Sequence, residues 1–261
     1  MIDCKAIASR IKEELKPLVT KDKQLAIIQV GEDPASNIYV KNKLRVCDEL
    51  GVIAHYYQFL ESSTNEDILK KINELNEDKK IKGIIIQLPL PKHLDTDFLT
   101  NAIADEKDID GFKATSKYIP CTPKGIMTIL DSLNIDLAGK SAVIIGKGKT
   151  VGKPLINLLL DRGVTITVCH SRTKQVDLER AVLCSNIIVS AVGKPNLVTK
   201  SMILGCSNKI MIDVGISRDK NGKQIGDFDE DLHDYIDLIT PFTGGVGVMT
   251  VVSLLQNLLE E

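Results

Sequence analysis

The chain has 261 residues, enough for one large domain or two of ordinary size, and its 43% hydrophobic and 26% charged content is that of a globular protein with a real core. Its 33 basic and 35 acidic residues are interspersed and leave a formal charge of −2, which argues against a nucleic-acid or membrane surface. The six cysteines are scattered, with no CxxC pair and no histidine at metal-ligand spacing, which excludes a recognisable zinc site or disulfide framework and fits a reducing cytosol.

The N-terminal stretch MIDCKAIASRIKEELK mixes charged and apolar residues at helical spacing over 3–17 and lacks the apolar run of a signal peptide. A strand is predicted at 24–30 (QLAIIQV). Asp33-Pro34 then places a capping residue before a proline at the first position of a helix over 34–50, which Gly51 closes. A strand at 53–59, a helix at 65–77 and a strand at 83–88 follow. The stretch 105–122 has no periodicity and reads as an inter-domain crossing, after which Thr122-Pro123 is expected to open a helix over 123–134. Strands at 141–146, 165–169, 186–191, 210–214 and 236–239 alternate with helices at 152–161 and 175–184, and an apolar helix over 247–260 ends the chain. This alternation predicts an α/β protein of parallel sheets flanked by helices. The domains are expected at 1–120 and 121–246, with 247–261 returning to the first.

Chemistry-bearing residues gather at a few places. Ser36, Tyr39 and Lys43 lie three and four apart, on one stripe of the helix opened by Asp33, beside an apolar stripe of Val40, Leu44 and Cys47. A lysine withdrawn from water is a usable acid or base, although most Tyr/Lys pairs four apart are simply surface residues. Gln87 ends a buried strand and runs into Leu88-Pro89-Leu90-Pro91, at the carboxyl edge of a sheet where ligands collect. Asp110, in Asp108-Ile109-Asp110-Gly111, could accept paired N–H donors from a heterocycle or belong to an ordinary Asp-Gly turn.

The segment AVIIGKGKTVGKPLINLLL reads as strand, glycine turn and helix, with Gly146, Gly148 and Gly152 spaced G-x-G-x-x-x-G. That is one residue longer than the usual Rossmann fingerprint, but the strand-to-helix context suits a dinucleotide pyrophosphate. A tight turn without a ligand is the alternative. The next strand ends in His170-Ser171-Arg172-Thr173-Lys174, with no carboxylate for a ribose 2′-hydroxyl. Hydroxyls and cations there, with Lys147 nearby, favour NADP over NAD, unless Arg172 and Lys174 are only solvated residues at a helix start.

Taken together, VGEDPASNIYVKNK, GIIIQLPLPKH, EKDIDGF, PCTPKGIMTIL, VGKP, TVCHSRT, AVGKP, MIDVGI and TGGVGVMTV resemble the bifunctional methylenetetrahydrofolate dehydrogenase/methenyltetrahydrofolate cyclohydrolase family, in order and over nearly the whole chain. The resemblance implies an N-terminal folate-binding catalytic domain, a Rossmann-like NAD(P)-binding domain and a C-terminal helix that returns to the first. It implies NADP-dependent oxidation of 5,10-methylenetetrahydrofolate, then hydrolysis to 10-formyltetrahydrofolate, with no metal. It makes Lys43 the catalytic lysine, Gln87 its hydrogen-bond partner, Tyr39 the folate platform and Asp110 the pterin anchor, with Ser36, Gly244 and Gly245 also on the substrate. Gly146, Lys147, Gly148, Val151, Ser171, Arg172 and Ile216 would hold the cofactor. A cytoplasmic homodimer is implied as well. Lys147-Gly148 stands where the family usually has Arg-Ser, and lysine cannot copy arginine's bidentate grip on phosphate. A monofunctional NAD(P)-dependent dehydrogenase and a non-catalytic dinucleotide sensor are the alternatives.

Overall fold

A computed structural model describes residues 1–206, 208–218, 222 and 224–260. The chain divides into two compact units. One, built on a three-stranded sheet, comprises Arg10–Cys121 with Val251–Glu261; the other, built on a five-stranded sheet, comprises Met1–Ser9 with Thr122–Thr250. The first nine residues thus pack with the five-stranded unit rather than with the residues that follow them. Ile2 N–H donates to Ile239 O at 2.9 Å, tying the chain's start to that sheet.

In the three-stranded unit, α1 (Cys4–Leu15), whose second half lies here from Arg10 on, leads through a 3-10 turn at Lys16–Leu18 to β1 (Gln24–Val30). Then come α2 (Pro34–Leu50), β2 (Ala54–Phe59), α3 (Asn65–Glu77), β3 (Ile81–Ile86) and the short α4 (Thr96–Asn101). The strands are parallel in the order β2-β1-β3. Central β1 is covered on both faces, so Leu25–Ile28 reads as a continuous apolar run without alternation and even Gln29 is buried. Ala26, Ile28, Val30, Ile84 and Ile86 form one core with Ile68, Ile72 and Leu75 of α3 and Leu99 of α4.

Local signals set the ends of α2. The Asp33 carboxylate accepts the Ser36 N–H at 2.7 Å, Pro34 sits where no N–H is needed, and Gly51 closes the helix at φ 79°. The same logic opens α3, where Thr64 and Asp67 form a reciprocal capping box.

The five-stranded unit runs α5 (Cys121–Ser132), β4 (Ser141–Ile145), α6 (Gly152–Asp161), β5 (Thr165–Cys169), α7 (Gln175–Cys184), β6 (Ile187–Ser190) and β7 (Ile210–Asp213). A two-residue ribbon of β8 (Ser217–Arg218) and β9 (Gln224–Ile225) precedes β10 (Leu238–Ile239) and α8 (Val246–Leu259). The parallel order is β10-β7-β6-β4-β5. The chain therefore steps from β4 to one side for β5 and back across to the other for β6, which makes the carboxyl edge beside β4 a topological switch point.

The sequence misses the short pieces α4, β8 and β9, which carry too few residues to establish a period. It also misplaces the start of α5. Thr122 was expected as the cap with Pro123 first in the helix, but the helix begins at Cys121. Proline is tolerated throughout a first turn, because those N–H groups have no intrahelical acceptor, so it marks the turn and not the position within it.

The last helix is apolar nearly all round and correspondingly buried, from Val246 to Leu259. Its first turn belongs to the five-stranded unit, where Thr250 Oγ1 lies 3.1 Å from Thr122 Oγ1. From Val251 it belongs to the three-stranded unit. There Asn257 Nδ2 donates to Ile109 O at 2.9 Å and Ile119 O at 3.0 Å, and Gly83 of β3 leaves room for Ile109 and Leu258. Among the described residues, no helix is long and apolar enough to cross a membrane.

Candidate active site

Within the three-stranded unit, α2 and the end of β3 bring the expected side chains together. Ser36 and Lys43 are buried on one stripe of α2, Tyr39 is half-buried between them, and Val40 and Cys47 anchor the helix beside them. Lys43 Nζ donates to Gln87 Oε1 at 3.1 Å. Each of the two residues is only 8% exposed, so little water competes for that bond.

The Gln87 amide is oriented from its other end, because Nε2 donates to Leu88 O at 2.8 Å. An ammonium can only donate, so this orientation presents the one amide atom able to receive it. Ser36 Oγ reaches the same Leu88 carbonyl at 3.4 Å, across the cis Leu88–Pro89 segment. The first turn of α2 is tied to β1 as well. Gln29 Nε2 donates to Asn37 Oδ1 at 2.6 Å, while Tyr56 Oη donates to Gln29 Oε1 at 3.0 Å.

Asp110 follows in the loop after a 3-10 turn at Asp105–Lys107. Burial raises its proton affinity, and the Lys43 charge and the Cys121 thiol pull the other way. That coupling sets Asp110 within electrostatic reach of Lys43. Its neighbour Asp108 is a structural turn residue: its carboxylate accepts the Lys113 N–H at 3.0 Å. Burial also raises the Tyr39 phenol, which stays protonated at neutral pH.

In the five-stranded unit, β4 runs into Gly146 at φ 111°, whose N–H donates to Cys169 O at 2.9 Å. A side chain on Gly152 would overlap the Gly146 carbonyl, so glycine alone lets α6 start against the turn. Gly148 is exposed, with nothing within 4 Å of where a Cβ would stand. No side chain caps α6, whose N-cap is Val151. An uncapped helix start above an open glycine turn fits a nucleotide phosphate.

Beside it, the loop after β5 is a locked turn. His170 N–H donates to Thr173 Oγ1 at 2.9 Å, and His170 Nδ1 accepts the Arg172 N–H at 3.2 Å. Ser171 and Arg172 stand exposed on that turn and Lys147 on the neighbouring one. Ile216, after β7, is 45% exposed. Gly244 has φ 79°, and a side chain on Gly245 would overlap the Pro241 carbonyl, so both belong to a tight turn ahead of α8. Among the described residues, no group of three or more His, Cys, Asp or Glu could hold a metal ion.

Sequence reading missed three buried groups at this edge: Ser190, Asp213 and Asp227. The signal for Asp213 was present, as an acid inside the apolar strand IMID. Asp227 carried none, because GDFDED reads as a solvated acidic run.

Two family models match the chain. The one described as tetrahydrofolate dehydrogenase/cyclohydrolase, catalytic domain, matches residues 2–110, and the one for the NAD(P)-binding domain matches residues 120–261. The chain is similar to the bifunctional protein FolD of Agathobacter rectalis, with 42% identity over 276 residues, 100% of this chain and 98% of that protein. It also resembles the crystal structure of the bifunctional enzyme FolD, methylenetetrahydrofolate dehydrogenase/cyclohydrolase, from Campylobacter jejuni. That match has a TM-score of 0.93 at 39% identity and covers 99% of this chain and 96% of the other. The Trypanosoma brucei methylenetetrahydrofolate dehydrogenase-cyclohydrolase, complexed with NADP cofactor and an inhibitor, matches with a TM-score of 0.93 at 31% identity, covering 99% and 95%.

Proposed function

The chain belongs to the tetrahydrofolate dehydrogenase/cyclohydrolase family, and from that membership we infer an NADP-dependent enzyme that performs two steps on one folate. It oxidises 5,10-methylenetetrahydrofolate to the 5,10-methenyl cation, then hydrolyses the cation to 10-formyltetrahydrofolate. When bound, NADP supplies the hydride acceptor for the first step. The chain's own residues hold the folate, admit one water and move its protons.

The observation that carries this reading is the buried Lys43–Gln87 hydrogen bond. In the hydrolytic step, water oxygen bonds to the methenyl carbon and the bond from that carbon to N5 breaks. Of the water's two protons, one goes to N5 and the other leaves. One group close to the carbon can carry both transfers, and Lys43, aimed by Gln87, suits that task. Tyr39 provides an aromatic platform with Ser36 beside it, and Asp110 offers a carboxylate to the paired N–H donors of the pterin. Gly244 and Gly245 would give the substrate a close-fitting backbone turn.

Backbone N–H groups around Gly146, Gly148 and Val151 would hold the pyrophosphate, and Ile216 would offer an apolar contact to the nicotinamide. Exposed Ser171, Arg172 and Lys147, with no carboxylate after β5, support a 2′-phosphate site. Six free thiols are in keeping with a reducing cytoplasm. The resemblance supports a homodimer; sedimentation as a single 28.7 kDa species would refute it.

Lys43→Met tests the mechanism. Ring opening of methenyltetrahydrofolate should fall by about 10²–10⁴-fold while NADP affinity holds, the scale of a lost general acid–base group. A variant that still opens the ring at the parent rate would remove Lys43 from the mechanism. Comparing NADP with NAD in the oxidation step tests the second site: equal rates would discard the 2′-phosphate role of Ser171, Arg172 and Lys147.

A further inference from the structure

Ser190, Asp213 and Asp227 lie buried at the carboxyl edge of the five-stranded sheet, and the chemistry above leaves them unused. Ser190 of β6 and Asp213 of β7 are register partners. Asp213 Oδ1 accepts the Gly215 and Asp227 N–H groups, each at 3.1 Å, and its Oδ2 accepts the Phe228 N–H at 3.0 Å. Asp227 in turn uses Oδ2 for the Ser190 hydroxyl at 2.6 Å and the Val192 N–H at 3.0 Å, and Oδ1 for the Lys194 N–H at 2.7 Å.

The packing is reciprocal. A side chain on Gly215 would overlap the Asp227 carboxylate, and one on Gly226 would overlap the Asp213 carboxylate.

These contacts fix two loops, 191–194 after β6 and 214–216 after β7. The first abuts the glycine turn, and the second abuts the first. A Cβ on Gly146 would lie 2.7 Å from Ala191 O, and one on Gly193 would lie 3.1 Å from Ile216 O. The turn after β4 and the two loops form a continuous strip of backbone along the switch-point edge, where a dinucleotide would lie.

We propose that Asp227, seated on Asp213, is a positioning residue for the dinucleotide: it holds the 191–194 and 214–216 loops in register with the glycine turn. The proposal rests on the cofactor reading given above. Three donors converge on Asp227, and only an acceptor-only carboxylate serves them all; an asparagine would turn an NH₂ toward at least one. The arrangement also costs stability. Burial pushes the Asp213 carboxyl up to about 6, with the Asp227 charge adding to the rise. Two acids kept side by side out of water at such a cost point to a demand other than stability.

The test is Asp227→Asn in the full chain, with two readouts: NADP affinity, and cyclohydrolase activity on methenyltetrahydrofolate without NADP. The expected result is an NADP Kd raised about 10–100-fold, the scale for hydrogen bonds to a charged group, with ring opening within about twofold of the parent. An NADP Kd unchanged within about twofold overturns the proposal, as does a folded variant whose two activities fall in proportion. Should Asp227→Asn not fold, Ser190→Ala removes a single donor and is expected to raise the KM for NADP about three- to tenfold with ring opening unchanged. An unchanged KM there overturns the proposal equally. A parent protein that binds no NADP overturns the cofactor reading itself, whereas a parent that binds and a variant that binds equally well removes only the role of Asp227.

Discussion

In the three-stranded unit the buried Lys107 donates to the carbonyls of Leu75, Asn76 and Asp78 at the end of α3, at 2.8, 2.6 and 2.8 Å. In the five-stranded unit the buried Lys209 does the same for Val182, Leu183 and Ser185 at the end of α7, at 3.3, 2.8 and 2.7 Å. Both lysines satisfy orphan carbonyls and complement a helix dipole. The scaffolds thus share a device, yet the sites proposed on them differ in kind. One is made of buried side chains, with Lys43 on the Gln87 amide and both Gln87 and Ser36 on the Leu88 carbonyl. The other is made of backbone, with glycines where the chain must approach closely and exposed cations at the rim. A side-chain site should fail through loss of a functional group, and a backbone site through loss of shape.

Gly152→Ala probes that contrast most severely. Its methyl would overlap the Gly146 carbonyl, so the turn must open, and NADP affinity should fall by about 100-fold or more while ring opening survives. Titration calorimetry beside a cyclohydrolase assay would decide it, and equal loss of both activities would break the comparison.

Next in size, Lys107→Met and Lys209→Met should each cost about 2–3 kcal/mol of unfolding free energy, because buried carbonyls lose a charged donor. Urea denaturation reads this. A marked inequality between the two would show that the shared device matters in one unit alone.

The smallest effect concerns pH. The folded Asp213 pKa, about 6, lies above its ordinary value of 3.8, so the native state binds more protons between those limits. That group's contribution to stability is full below about pH 4 and is lost as the pH rises through about 6. Relative to Asp213→Asn, the parent should therefore gain about 2 kcal/mol between pH 6 and pH 4. Paired urea melts at the two values measure it, and a constant difference would contradict the assignment.

Legibility in the sequence followed the range of the forces. β1, α2, α3, α6, β5 and α7 begin and end where their apolar periods, caps and closing glycines predict. The Ser36–Tyr39–Lys43 stripe needed only helical spacing, and the glycine turn only its strand-to-helix context. Gln87 was placed by its prolines, although spacing could not say that its amide oxygen would meet Lys43. Lys107, Lys209 and Asp227 were illegible: each sits in a polar stretch that reads as solvated surface, and its burial depends on distant parts of the chain.

The sequence by itself determined the α/β class, nearly all the strands and long helices, and the residue types available at both sites. Those properties arise from interactions within a few residues: hydrophobic period, capping and the φ freedom of glycine. Only the tertiary structure decided that Met1–Ser9 packs with the five-stranded sheet, that Lys43 is shielded against Gln87, and that Asp213 and Asp227 share one interior. Each depends on contacts between residues far apart in the chain, where burial changes what a charge or an amide can do. Local pattern does not encode that environment.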